Sequence, residues 1–238
     1  MRNTRFELDA QARVAHGLPA AFAHISFATD GATGFDGLRN VYRALQKRQL
    51  PAYADLMMTA RNAGWLARAA WTRYVRKRVL LPAAARFEVH IVTEQEPTAT
   101  NRITLSSGDN DPFGVPLAQI HWEVSKEDVG NTEAVLNTFS HYWSRTSLAA
   151  LGALQPYGRD QWSVTLRSGG GIYHPGGSLR MGTSADTAVV DRDLRAFGVP
   201  NLRVVSTATF PTGGSANPTM MLALMGLRLT DALRRELA

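Results

Sequence analysis

ARFEVHIVTEQEPTATNRITLSSGDNDPFGVPLAQIHWEV, residues 85–124, is where the chain changes period. ARFEVHIVTEQEP (85–97), NRITLSS (101–107) and LAQIHWEV (117–124) are rich in β-branched and aromatic residues. Turn formers separate them: Pro97, then Ser107-Gly108-Asp109-Asn110-Asp111-Pro112, then Gly114. Runs of this length with such punctuation predict consecutive antiparallel strands. Immediately after them, Ser125-Lys126-Glu127-Asp128 places an acid three residues beyond a serine, a capping box with Asp in the Glu position. A helix is expected from there through Phe139, Tyr142 and Trp143 towards Leu151, with QWSVTL (161–166) as a further strand.

Upstream, residues 1–85 read mostly as helix. FDGLRNVYRALQKRQL (35–50) sets Leu38, Val41, Tyr42 and Leu45 at the three-and-four spacing of one helical face. Pro51 ends that helix or opens the next. Ala52 to Val79 is rich in Ala, Leu, Met and Arg, and Pro82 closes it. There, Trp65, Trp71, Tyr74 and Val75 interleave with Arg68, Arg73, Arg76, Lys77 and Arg78. An amphipathic helix with buried aromatics accounts for this pattern, and so does a docking surface for a partner or an anionic membrane. Downstream, residues 168–238 alternate glycine-rich turns with short apolar strands and end in one helix. Asn217-Pro218 suits its start, as N-cap and first helical residue. Met221, Leu222, Leu224, Met225, Leu227, Leu229 and Leu233 make it apolar around most of its circumference, which predicts burial.

Composition narrows the chemistry. With 238 residues, 45% of them apolar, a sizeable core is available. No run approaches the eighteen or so apolar residues of a membrane helix, and MRNTRFELDAQARVAHG lacks the apolar stretch of a secretory signal. There is no cysteine, which excludes disulfides, thiolate metal sites and a cysteine nucleophile and suits a reducing compartment such as the cytoplasm. The net charge is +6, from arginines spread along the chain with one concentration between Arg61 and Arg78, but no nucleic-acid-binding motif accompanies it, so nucleic acid is not expected as a partner. Gly169-Gly170-Gly171 is not a dinucleotide fingerprint, because His174 stands where the third glycine belongs. The six histidines are scattered without ligand spacing, so no metal is expected.

Two segments carry chemistry. In Ile172-Tyr173-His174-Pro175-Gly176-Gly177-Ser178-Leu179-Arg180-Met181-Gly182 a histidine sits between glycine-rich turns. Glycines let backbone approach a ligand, and imidazole moves protons near neutral pH; a structural histidine fits as well. In Asn201 to Thr219 a short apolar strand, a polar glycine-rich loop and a helix start follow one another. Such a helix start presents free N–H groups to an anion or an electron-rich ring atom, while Asn217 has a second reading as a cap alone.

In order, HPGGSLRMG (174–182), VVDRDLRAFGVPNLRVV (189–205), FPTGGSANPT (210–219) and the terminal helix resemble the C-terminal signature of the glucose–methanol–choline (GMC) flavin oxidoreductases. FEVHIVTEQEPTATNRITLSSGDNDPFGVPLAQIHWEV (87–124) resembles the strands of that family's substrate domain. The resemblance implies an FAD-dependent enzyme that oxidises an alcohol or sugar CH–OH by hydride transfer. It puts the catalytic histidine at His174 and its partner at Asn217. It assigns flavin contacts to Ser206, Thr207, Pro218, Thr219 and Met220, although Ser206 stands where many members carry an acid. The implied fold is α+β: an antiparallel substrate-domain sheet with flanking helices (86–167), after a helical region (1–85). A C-terminal segment (168–238) then completes a Rossmann-like FAD-binding domain. The FAD-binding half itself, with any targeting signal, is expected to precede these residues on the same or a separate chain. Without it the C-terminal piece would leave apolar surface exposed and associate or lose stability. A non-catalytic remnant, or a basic partner-binding module built on residues 61–78, stands as the alternative.

Overall fold

A computed structural model describes residues 5–29, 31, 33–83, 85–168, 174–214 and 217–237. It is α+β. The elements run β1 (Arg5–Glu7), α1 (Ala10–His16), β2 (Ala21–Ala28), α2 (Gly34–Gln46), α3 (Tyr53–Arg61), α4 (Ala63–Tyr74), β3 (Arg86–Thr93), β4 (Arg102–Asn110), β5 (Pro116–His121), α5 (Lys126–Arg145), α6 (Arg159–Arg167) and α7 (Thr219–Glu236). Single 3-10 turns cover Ser147–Leu151 and Thr207–Thr209. The strands form one three-stranded sheet in the order β1-β2-β3 and one two-stranded sheet, β4-β5. The chain divides into two compact units, Met1–Arg5 with His24–His90, and Phe6–Ala23 with Ile91–Ala238.

In the first unit α2, α3 and α4 pack as a helical arm. Thr33 caps α2 in a full capping box: its hydroxyl accepts from the Asp36 amide while the Asp36 carboxylate accepts from the Thr33 amide. The Asp36 side chain is fully buried and also takes the Thr29 and Thr33 hydroxyls, at 2.7 and 2.6 Å, and Arg39 at 2.8 Å. Burial opposes its charge, but these donors outweigh burial and hold its pKa below the ordinary carboxylate value. Helix α2 approaches α3 at glycine. A Cβ on Gly37 would lie 2.9 Å from Thr59 Oγ1 and 3.1 Å from the Asp55 carbonyl. The expected single helix over 52–79 is broken at Asn62, whose side-chain amide bonds the Met58 carbonyl at 2.8 Å and so competes with helix continuation.

In the second unit Leu18, Ala21 and Val135 form a core on which Leu8, Ile91 and Ala134 pack. Phe6, Phe139 and Trp143 stack edge-on beside one another, with centroids 5.6–6.4 Å apart. The capping box read at Ser125 is present, with Asp128 as its acid. Asp128 is buried and does more: it also accepts from the Glu96 amide at 3.0 Å and from Gln95 Nε2 at 3.2 Å. Residues just after β3 are thereby clamped to the start of α5. Strands β4 and β5 pair antiparallel from Arg102↔His121 to Leu105↔Ala118 and again at Asn110↔Pro116. Ser106, buried in the irregular stretch between, accepts from the amides of Gly108 and Asp109.

Four expectations change. Residues 1–85 include β1 and β2, not helix alone; Leu18–Ala23 are buried, and β2 runs on to Ala28 through half-buried residues. β3 therefore pairs within the β1-β2-β3 sheet and does not extend β4-β5 into one antiparallel sheet. QWSVTL is helix α6, not strand: the half-buried Trp162, Ser163 and Leu166 share one helical face, and the Ser163 and Thr165 hydroxyls bond carbonyls three and four residues back. Helix α7 buries none of its residues; Met220, Met221, Leu224 and Leu227 are all exposed. Its Met225, Leu229 and Ala232 line a small cleft with Leu194, and a Cβ on Gly226 would lie 3.8 Å from the Val205 side chain.

Candidate functional site

Residues 174–214 form an irregular, tightly hydrogen-bonded layer in the second unit. Val190 and Leu194 are buried at its centre, and bridges join Met181 to Val190, Val190 to Ala196 and Arg195 to Arg203. Asp191 organises the turn, its Oδ1 accepting from the amides of Asp193 and Arg195 at 2.8 and 3.0 Å. Helix α7 is fastened over this layer by charge. Arg203, whose side chain is nearly buried, bonds both oxygens of Glu236 at 2.6 Å, and Arg228 reaches Asp193 at 2.6 Å.

The two chemistry-bearing segments lie against each other. The Leu179 amide donates to the Ala208 carbonyl at 2.9 Å, and the Met181 amide donates to the Thr209 carbonyl at 2.8 Å. A Cβ on Gly176 would stand 3.2 Å from the Thr207 carbonyl oxygen, and Gly177 takes φ 77°, so this glycine pair permits both the approach and the turn. On the facing side Thr209 is completely buried. Its hydroxyl donates to the Ser206 carbonyl at 2.8 Å, and the Ser206 hydroxyl accepts from the Ala208 amide at 3.1 Å. Residues 206–210 are thus fixed by their own hydroxyls and then used as a template for 176–181.

Around this template the expected site residues fall as follows. Ser206 and Thr207 are half-buried in the turn itself. His174 is exposed and precedes the glycine pair, and Asn217 is exposed just ahead of α7. Gly169-Gly170-Gly171, Ile172 and Tyr173, which lead into His174, and Ser215 and Ala216, which lead into Asn217, lie outside the described residues. The helix start is one residue later than expected. Pro218 is the cap, its carbonyl taking the first bond from the Leu222 amide at 2.9 Å, with no side-chain cap bond. Thr219 and Met220 open the helix, both exposed. An open polar groove lies elsewhere, over Arg102, His121 and Trp122 on β4-β5, and includes neither His174 nor Asn217.

One residue escaped the sequence reading. The Gly213 amide donates to Glu94 Oε1, across 119 positions. Glu94 is well placed to hold it: its own amide donates to the Ala20 carbonyl at 2.8 Å, and its neighbours Gln95 and Glu96 are clamped to Asp128. An acid at the end of a strand gives no sequence signal for a partner so distant.

Comparison with known proteins gives the arrangement its family. The model described as GMC oxidoreductase matches residues 97–226, more than half of the chain. The chain is 30% identical over 158 residues to 5-(hydroxymethyl)furfural oxidase of Methylovorus sp. (strain MP688), covering 58% of this chain and 29% of that protein. It is 28% identical over 148 residues to 2-methyl-1,2-propanediol dehydrogenase of Mycolicibacterium austroafricanum, covering 62% of this chain and 25% of that protein. Over 55 residues it is 47% identical to mitochondrial choline dehydrogenase of Mus musculus, 21% of this chain and 9% of that one. The chain therefore spans less than a third of the length of each of these oxidases and dehydrogenases. The match takes in most of the HPGGSLRMG-to-FPTGGSANPT layer whose packing is described above, and the chain belongs to the GMC oxidoreductase family, in the C-terminal part of its members.

Proposed function

We propose that this chain supplies the catalytic C-terminal half of an FAD-dependent enzyme that oxidises an alcohol or sugar CH–OH group. The observation that carries the reading is the pair of backbone bonds laying 179–181 on 208–209, which brings the loop after His174 onto the loop that leads to Asn217. In this reading the terminal segment completes a Rossmann-like FAD domain, and the dinucleotide-binding half is supplied by the same or a separate chain.

The donor set fits one edge of a flavin. Pro218 contributes no side-chain acceptor to the first turn of α7, where the amides of Thr219 and Met220 stand at the positive end of the helix dipole. A ring carbonyl is the acceptor such a turn favours. Ser206 and Thr207 add hydroxyls on the adjoining loop, and Pro218 sets the approach. When bound, FAD supplies the hydride acceptor.

The chain's own groups handle the oxygen. The substrate hydroxyl has a pKa far above neutral, so hydride loss requires its proton to move as the C–H bond breaks. The His174 imidazole accepts that proton at a ring nitrogen. The Asn217 side-chain amide donates to the oxygen as negative charge develops there and fixes its direction. Neither step needs a metal.

Anaerobic stopped-flow reduction of the assembled flavoenzyme tests the assignment. His174→Ala is expected to slow flavin reduction by alcohol at least about a hundredfold, the size of a lost general base. Unchanged reduction removes His174 from the role. Asn217→Ala is expected to slow the same step less severely; a lowered melting temperature with an unchanged rate per folded molecule makes Asn217 structural only.

A further inference from the structure

Between Asp55 and Glu88 the sequence places seven cations, Arg61, Arg68, Arg73, Arg76, Lys77, Arg78 and Arg86, and no acid. This local surplus exceeds the +6 of the whole chain, so the rest of the molecule is close to neutral. All seven are exposed, and among the described residues none forms an ion pair. Single surface cations are common; six of these, Arg61 to Arg78, follow one another from the end of α3 to the turn after α4 with no acid between them, and leave a positive potential that attracts an anionic surface.

The same arm turns aromatic residues outward. In α4, Trp65, Leu66, Ala69 and Thr72 are half-buried and mark the inner face. Arg68, Trp71 and Tyr74 follow one another at three-residue spacing on the outer face, where Trp71 is 60% and Tyr74 74% exposed. Beyond the helix the chain folds back. Lys77 takes φ 56°, and the Arg78 amide reaches the Thr72 carbonyl at 3.1 Å. Arg76, Lys77 and Arg78 are thereby gathered at the end of the aromatic stripe, with Val75 and Val79 exposed among them. The expectation that this helix buries its aromatics holds for Trp65 only in part and fails for Trp71 and Tyr74.

We infer that this arm is a peripheral docking surface for an anionic phospholipid bilayer. Charge complementarity selects the occupant's sign, and the apolar component selects its kind. Lysine and arginine near a bilayer are drawn to its anionic headgroups, and Trp and Tyr settle at the headgroup level with their rings in the apolar boundary. A nucleic acid rewards the cations but leaves Val75 and Val79 in water. The contact is of the lying type: among the described residues no helix is long and apolar enough to cross a membrane. This inference stands apart from the redox reading and survives its failure.

Flotation of the full chain with lipid vesicles tests it. Vesicles of phosphatidylcholine with roughly one part in three phosphatidylglycerol are expected to bind at least about tenfold more tightly than phosphatidylcholine alone. That binding should weaken steeply as salt rises, because screening shortens the reach of surface charge. Replacing Arg68, Arg73, Arg76, Lys77 and Arg78 together by Gln should abolish binding to the anionic vesicles. Trp71→Ala with Tyr74→Ser should weaken it about threefold or more with the cations intact. Circular dichroism checks that both variants keep the fold, as expected for exposed positions. Equal binding to the neutral vesicles, or retained binding by the five-site variant, overturns the inference. So does duplex DNA that competes fully while the aromatic variant binds like the parent, which assigns the patch to a polyanion.

Discussion

Replacing Glu94 by alanine removes a hydrogen bond that ties the end of β3 to the loop before Asn217. Glu94 Oε1 accepts the Gly213 amide, and a hydrogen bond to a charged group contributes about 1.5–3 kcal/mol. Glu94 is half-buried and Gly213 exposed, so solvent screening selects the low end, about 1.5 kcal/mol, on the order of a tenfold change in equilibrium. If the loop opens locally and recloses quickly, amide exchange follows that equilibrium. Exchange at Gly213 and its neighbours should therefore accelerate about tenfold in Glu94→Ala. Glu94→Gln keeps an acceptor without charge and should accelerate it only about threefold. Hydrogen–deuterium exchange by mass spectrometry on a peptide spanning 210–219 reads this directly. A purely local effect leaves exchange in α5 and around Val190 unchanged. Exchange in Glu94→Ala within twofold of the parent would show that the loop is held by its own turn and not by Glu94. In the assembled flavoenzyme the same series should order flavin-reduction rates as parent, Gln, Ala.

Other perturbations probe the scaffold. Gly37→Ala places a methyl 2.9 Å from Thr59 Oγ1 and 3.1 Å from backbone of α3; after the gain in helix propensity it should destabilise by about 1–2 kcal/mol. Gly64→Ala meets nothing within 4 Å and should stabilise by about 0.5–1 kcal/mol in the same denaturant titration; equal effects of the two substitutions would dismiss the close approach of α2 to α3. Because the Asp36 pKa lies below its unfolded value, its contribution is complete above about pH 4 and disappears as pH falls through the folded pKa. Asp36→Asn should lower the melting temperature at pH 7 and flatten the acid limb, and a parallel acid limb would sink the assignment. His24 is displaced downward by burial, then by His90 and Arg5. Folding thus favours its neutral form over its charged one, so stability should fall as pH drops below about 6.5, and His24→Gln should shrink that fall; an identical pH profile refutes it.

What could be read from the sequence was what depends on neighbours in sequence. The Ser125–Asp128 capping box, helix α2, the β4-β5 strands and the turn at Asp111 each follow from residues within a few positions of one another. QWSVTL misled because a six-residue apolar run has no length to separate period two from period 3.6, and hydroxyls that favour strands can also bond helical carbonyls. β2 was hidden by the helical texture on either side of it. Residues of the candidate site were legible as types, since histidine, asparagine and glycine stand in a recognisable order. Their fastening was not, since Glu94 to Gly213 and Arg203 to Glu236 are pairings that only the folded chain makes.

The glycines of HPGGSLRMG can now be separated from its polar residues. Gly176 stands against the Thr207 carbonyl, Gly177 needs its left-handed φ, and a Cβ on Gly182 would fall 2.6 Å from the Ala188 side chain. Close packing and turn geometry explain all three without any ligand. Leu179 and Met181 donate their amides to the facing loop, and the exposed Arg180 donates to the Thr187 carbonyl at 2.8 Å. None of these demands explains a histidine at 174, which is exposed and adjoins the glycine turn. A residue that packing does not require, placed next to a turn that packing specifies closely, is where a chemical role has the most room. That contrast inside one nine-residue segment is why His174→Ala separates catalysis from stability: it should leave the melting temperature within about a degree or two of the parent, as for other exposed substitutions, while flavin reduction fails. A melting temperature that falls by many degrees would return His174 to the scaffold and take the catalytic assignment with it.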